Sequence, residues 1–161
     1  MLEAHYSGGE VVAKVQAATA RRLSAPADRV YRCLADYRQH HPQILPPSFS
    51  DYGVDEGGVG AGTLVHFRFR AGRRERVYRM RVAEPEPGRT LVEQDQDSSL
   101  ATTFTVLPDG DGCQVRILTE WDGAGGIGGF FERTFAPRVL RRVYADELER
   151  LERYAQAHPE V

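Results

Sequence analysis

The sequence predicts an α+β domain in which a curved antiparallel sheet of about seven strands wraps around a long C-terminal helix, with two short helices after the first strand. Three features predict it. Between Phe49 and Trp121, apolar and polar residues alternate through successive short segments, the period of half-buried strands. From Phe130 to Ala157 the spacing of apolar residues becomes that of an amphipathic helix. Between the first strand and Phe49 lies a short helical pattern bounded by prolines.

The first strand is expected from Glu10 to Arg22, where small and β-branched residues alternate loosely. Ser24-Ala25-Pro26-Ala27-Asp28 then starts a helix: Pro26 suits its first turn and Asp28 complements its positive end. That helix runs to about Ala35, with Val30, Cys33 and Leu34 on one apolar face. A second short helix is expected over Tyr37–His41, ended by Pro42 and the pair Pro46-Pro47. The period-two segments are Phe49–Val54, Gly62–Arg70, Arg73–Glu84, Thr90–Asp97, Leu100–Leu107 and Cys113–Trp121. Turn residues separate them, and links this short imply antiparallel neighbours. In the last helix Leu140, Tyr144, Leu148 and Leu151 form the apolar stripe, with Val139 and Val143 beside it. Pro137 is expected to kink the first third of that helix unless the helix begins there.

A chain of 161 residues suits one domain, taken as 1–161 with 1–9 and 158–161 as flexible ends. With 21 basic against 23 acidic residues, the net charge of −2 points to neither nucleic acid nor an anionic membrane as partner. No long apolar run and no secretory start is visible, so a cytoplasmic protein without membrane insertion is expected. Cys33 and Cys113 read as two buried free thiols. His40 and His41 point about 100° apart on a helix, which argues against a shared metal and for a polar rim. Gly123–Gly128 matches a dinucleotide fingerprint, but no strand follows the helix to complete the unit, so no cofactor is expected. The glycines read instead as a hinge or a tight lead into the helix. The arginines between Arg68 and Arg81 fall on both faces of their strands and are expected to pair with acids such as Glu84, Glu86, Glu93, Asp95 and Asp97.

The segment Ser24–Tyr31, the Gly57-Gly58-Val59-Gly60-Ala61-Gly62-Thr63 turn, and a final helix carrying Phe135, Pro137, Leu148 and Leu151 occur here in that order. In these features the chain resembles the polyketide cyclase/dehydrase and lipid-transport superfamily (START-like, SRPBCC) over roughly Val11 to Tyr154. The resemblance implies the helix-grip fold of the birch-pollen allergen, with an interior pocket for an apolar or aromatic small molecule. It also implies that some members are cyclases or aromatases.

Alternation supplies candidate walls for such a pocket. Val65, Phe67 and Phe69 share one face of their strand, and Arg74, Arg76, Tyr78, Met80 and Val82 share a face of the next. Later strands offer Thr102, Phe104 and Val106, then Val115, Ile117, Thr119 and Trp121. The ligand-binding set is therefore Phe67, Phe69, Arg76, Tyr78, Met80, Phe104, Ile117, Thr119 and Trp121, with Phe131 and Phe135 from the helix. Arg76 is a candidate anchor for a ligand carboxylate or enolate. No catalytic residue is assigned. Glu93 and Asp95 face the pocket only if Leu91 does; if Val92 points inward, Gln94 and Gln96 do, and neither takes up a proton. Three functions stay open: binding a hydrophobic or aromatic small molecule or lipid, cyclase/dehydrase chemistry by acid and base, and capture of a partner protein in the groove. A desolvated proton-transfer group in the cavity separates the second from the first. The oligomeric state is open between monomer and homodimer.

Overall fold

Six alternating segments joined by short turns produce an uninterrupted meander, and the first strand closes onto its last member. The elements are β1 Lys14–Leu23, α1 Ala27–Ala35, α2 His41–Ile44, β2 Phe49–Glu56, β3 Leu64–Ala71, β4 Arg74–Glu86, β5 Thr90–Asp95, β6 Ala101–Asp109, β7 Gly112–Asp122 and α3 Gly126–Ala157. They come from a computed structural model that describes residues 12–123 and 126–161, with side chains described outside 126–135. The seven strands form one sheet in the order β1-β7-β6-β5-β4-β3-β2. Every pairing is antiparallel, and β1 is in register with β7 from Lys14 opposite Asp122 to Leu23 opposite Cys113.

Two elements differ from expectation. The second short helix occupies His41–Ile44, because Pro42 sits in its first turn, where a missing N–H leaves no bond unmade. Residues ahead of it are shaped by Asp36, whose Oδ1 accepts the backbone N–H groups of Arg38 at 3.0 Å and Gln39 at 2.9 Å. The long helix begins at Gly126 and continues through Pro137. Expected features at residues 1–9, the 124–125 part of the glycine run, and the side chains of Phe131 and Phe135 lie outside the described residues. At the other terminus, expected as a flexible end, Arg32 donates to the Val161 carbonyl at 2.8 Å and Val161 packs against the core.

The arginines of β3 and β4 pair mostly with acids other than those expected. Arg68 bridges Asp51 and Glu75, Arg70 meets Glu75, and Arg81 meets Glu56. Adjacency of β2 to β3 and the Arg70/Glu75 register of the β3–β4 hairpin supply these partners. Of the expected acids, Asp95 takes Arg76 at 3.1 Å, whereas Glu84 turns to Tyr31.

The inner face of the sheet is packed at one end and hollow at the other. At the packed end, α1 lies against β6, β7 and α3, and Leu23, Val30, Leu34, Val82, Leu91, Val106, Val115, Ile117, Leu148 and Leu151 form a dry cluster. Further along β4, β5, β6 and β7, the inward Met80, Glu93, Phe104 and Thr119 line open space instead. The loop after β2 clamps the end of α1: Gly60 donates to the Ala35 carbonyl at 2.9 Å with φ +62°, and a Cβ there would press on the Glu84 carboxylate. A left-handed backbone of this kind favours glycine. Leu148→Ala removes a fully buried side chain that locks α3 to this end. It is expected to cost about 3 kcal/mol in urea unfolding; a loss below about 1 kcal/mol would show that α3 is not held there.

Candidate functional site

The hollow end is a cavity of about 810 Å³ between the inner face of the sheet, α2 and α3. Its walls are aromatic: Phe49 packs edge-on against both Phe67 and Phe69, and Tyr78 tilts against Phe67. Met80, Phe104 and Trp121 continue the wall across the sheet, and Leu140 faces them from α3. Arg74, Glu75, Arg76, Ser99, Asp122 and Val139 are exposed lining residues and mark one end. Tyr37, His41, Glu93 and Glu147 are buried and mark the other.

Glu93 is the centre of the buried end. Leu91, Glu93 and Asp95 all point inward from β5, which settles the orientation that alternation left open. Opposite, Asp36 leaves α1 in an extended conformation and Tyr37 N–H donates to the Gly58 carbonyl at 2.8 Å. The glycine-rich loop thereby aims the Tyr37 side chain into the cavity, where its hydroxyl donates to Glu93 Oε1 at 2.8 Å. Tyr52 from β2 donates its hydroxyl to the Tyr37 carbonyl at 2.8 Å. His41 stacks on Tyr37 with ring centroids 4.6 Å apart and meets Phe104 edge-on. Its Nδ1 lies 2.8 Å from the Leu34 carbonyl and therefore carries the proton, leaving the Nε2 lone pair 3.9 Å from Glu93 Oε1.

Burial governs the protonation of these groups. Loss of hydration pushes the Glu93 carboxyl up to about 7, opposed in part by the Tyr37 hydrogen bond, which favours the ionised form. The same desolvation pulls His41 down to about 4, so the ring is neutral near pH 7. On α3, Glu147 is buried and makes no hydrogen bond among the described residues. Burial first, and then the repulsion of Glu93 and Asp146, push it up to about 8. One helical turn earlier, the Tyr144 hydroxyl bonds Thr119, which in turn bonds Thr102 at 2.7 Å.

Of the sequence-predicted residues, Phe67, Phe69, Arg76, Tyr78, Met80, Phe104, Thr119 and Trp121 line the cavity. Ile117 is on the correct face but one step too far along β7, in the dry cluster beneath α1. Arg76 lines the exposed end of the cavity, where it donates to Asp95 at 3.1 Å and stacks over Tyr78 at 4.7 Å. His41 is not a rim residue: as the first residue of α2 it is buried, with its ring held against the Leu34 carbonyl. Tyr37, Tyr52 and Tyr144 were missed, the first because it sits in irregular chain with no period to read. Glu147 had a legible signal: a carboxylate interrupting the apolar stripe Tyr144, Leu148, Leu151. Among the described residues, no group of three or more His, Cys, Asp or Glu is arranged to hold a metal ion, and no helix is long and apolar enough to cross a membrane.

A curved sheet, a covering helix and an aromatic cavity are features many unrelated sequences share, and the sequence profile of one family, polyketide cyclase / dehydrase and lipid transport, matches residues 14–156. The chain belongs to this family. As a member of the polyketide cyclase/dehydrase family it is similar to the KanY protein, whose solution structure is 37% identical with a TM-score of 0.80, over 89% of this chain and 99% of that one. It also shares its fold with the ZhuI aromatase/cyclase from Streptomyces sp. R1128, at 15% identity and a TM-score of 0.74, over 91% and 96% of the two chains. A point mutant of norcoclaurine synthase from Thalictrum flavum, holding a transition-state analogue, is 18% identical with a TM-score of 0.73, over 94% and 99%. No curated protein sequence matches the chain.

The raised carboxyls predict how stability depends on pH in this family member. A carboxyl whose folded pKa lies above its unfolded value stabilises the fold fully below the unfolded value, and that contribution is lost as pH rises through the folded one. For Glu147 the window runs from 4.5 to about 8. Glu147→Gln removes the cost of ionising a buried group, so it is expected to stabilise the protein at high pH by about 2 kcal/mol relative to its effect near pH 5. Urea unfolding of both proteins at the two pH values checks this; an equal effect at both would show that Glu147 does not titrate within the window.

Proposed function

We propose that the chain binds an aromatic small molecule in this cavity and transfers protons on it, chemistry of the cyclase/dehydrase type, with Glu93 as the group that takes and returns the proton. One observation carries the reading: a carboxyl sits at the buried end of an otherwise aromatic cavity, hydrogen-bonded to Tyr37 and facing the ligand space. A carrier for apolar molecules has no use for a desolvated carboxyl, whereas a proton-transfer site requires one whose pKa lies near the working pH. Family membership supports the same class of chemistry. Phe67, Phe69, Tyr78, Met80, Phe104, Thr119 and Trp121 hold the ligand's body in this reading. A volume of about 810 Å³ is in the range of small-molecule sites, which favours a small ligand over a protein segment. Cys33 and Cys113 are free and buried, which fits a single domain working in a reducing compartment such as the cytoplasm.

The chemistry is stated for a β-hydroxy ketone. Ionised Glu93 removes the proton from the carbon between the carbonyl and the carbinol; the electron pair forms the new double bond as the C–O bond breaks. The departing hydroxide takes the proton back from Glu93 and leaves as water, so the group is restored. Tyr37 acts as a positioning residue: its hydrogen bond to Oε1 stabilises the ionised form.

Dehydration of 4-hydroxy-4-phenylbutan-2-one to the conjugated enone, followed by absorbance, tests this directly. The protein is expected to accelerate it, with kcat/KM rising with pH through a group of about 7. Glu93→Gln is expected to lower kcat/KM about 100-fold while the compound still binds. Binding without acceleration by the unaltered protein would leave a carrier and remove the enzyme. Tyr37→Phe removes the hydrogen bond that favours the carboxylate, so the rising limb is expected to move to higher pH. An unmoved limb would mean that Tyr37 has no hold on the proton.

A further inference from the structure

The reaction above uses Glu93 and leaves Glu147 without a task. Glu147 is a buried carboxyl that lines the cavity, and no side chain among the described residues bonds it. An unpartnered carboxyl is costly inside a protein, and at this site the missing partner has room to be a ligand.

The groups facing the two carboxyls come from every surrounding element. From β5 there is Glu93 itself; from the α1–α2 link, Tyr37, whose hydroxyl hydrogen is committed to Glu93. From β2 there is Tyr52, whose hydrogen is committed to the Tyr37 carbonyl. From α2 there is His41, whose only N–H is committed to Leu34, so it presents a lone pair. From α3 there is Tyr144, tied to Thr119; the neighbouring Asp146 lies outside the cavity lining and is paired with Arg150 at 2.9 Å. The cations among the described lining residues are Arg74 and Arg76, both at the exposed end, where Glu75 and Asp122 also lie. Arg76 pairs there with Asp95. Among the described residues the buried end therefore offers acceptors and two carboxyls, with no cation lining it. Above it stand the rings of Phe67, Phe69, Tyr78, Phe104 and Trp121, whose faces attract positive charge.

We propose that the cavity selects ligands with an apolar aromatic body and a cationic nitrogen, seated with the nitrogen against Glu147 and Glu93. This deepens the reading of the cavity as an aromatic-ligand site and rests on it. A cation at that position supplies the counter-charge both carboxyls lack, favours their ionised forms and meets the surrounding rings. Binding is consequently linked to proton release: the ligand is held more tightly as pH rises and the carboxyls ionise. Two neutral carboxylic acids donating to a ligand carbonyl would show the opposite dependence.

Three probes of matched size separate these cases: benzyltrimethylammonium, whose charge does not change with pH, its neutral carbon isostere neopentylbenzene, and the anion 3-phenylpropionate. Binding is followed by amide chemical-shift titration of the full chain, which also locates the probe. At about pH 9 benzyltrimethylammonium is expected to bind about tenfold or more tighter than neopentylbenzene, and the preference is expected to fall about tenfold by about pH 6. Glu147→Gln is expected to remove most of the preference while neopentylbenzene keeps its affinity. The pH series on the unaltered protein gives the answer even if that variant fails to fold. Equal affinity of cation and isostere across the series, or tightest binding of 3-phenylpropionate, overturns the cation proposal and leaves the aromatic site standing. If no probe shifts the amides around the cavity, the binding site and the proposal built on it fall together.

Discussion

One helix has to cover the inner face of seven strands, and a single row of inward side chains from α3 cannot reach the whole of that surface. The fold meets the constraint unevenly. At one end α1 inserts between β6, β7 and α3 and completes a dry core around Leu34, Leu91, Ile117 and Leu148. At the other, no second helix fills the gap among the described residues, and the inward residues of the same strands line a cavity instead. Everything proposed about function depends on where along the strands that boundary falls.

The boundary separates chemically different neighbours. On β5 it lies between Leu91 and Glu93, on β6 between Val106 and Phe104, and on β7 between Ile117 and Thr119. Polar residues appear on the hollow side because a cavity leaves their oxygens room that a close-packed core would not. The carboxyls still lack full hydration, so Glu93 and Glu147 hold their protons to higher pH than exposed glutamates. Such groups weaken the fold at alkaline pH. Their retention in a cavity follows the general opposition between a stable core and a working site.

Support for Glu93 comes from a distance. The glycine-rich loop binds the end of α1 through Gly60 and takes the backbone of Tyr37 through Gly58, and Tyr37 then meets the carboxyl across the cavity. A motif that reads in sequence only as a turn is the device that aims a side chain at the site. His41 is held from α1, since its ring at the start of α2 donates to the Leu34 carbonyl.

Alternation and spacing by themselves determined the order of elements, the antiparallel meander, the amphipathic covering helix and the inward face of β3, β4, β6 and β7, because these are local consequences of side-chain geometry. They placed Phe67, Tyr78, Phe104 and Trp121 on the surface that became the cavity wall. Period two has no origin along the strand, however, so it set Ile117 and Thr119 on one face without showing that α1 covers the first and not the second. It was also blind on β5, where Leu91 with Glu93 and Val92 with Gln94 fit equally well until β4 and β6 fixed the register. Tyr37, His41 and Glu147 come from a loop, a one-turn helix and the far end of the chain. Only folding brings them to Glu93, since the interactions that pair them act between residues remote in sequence.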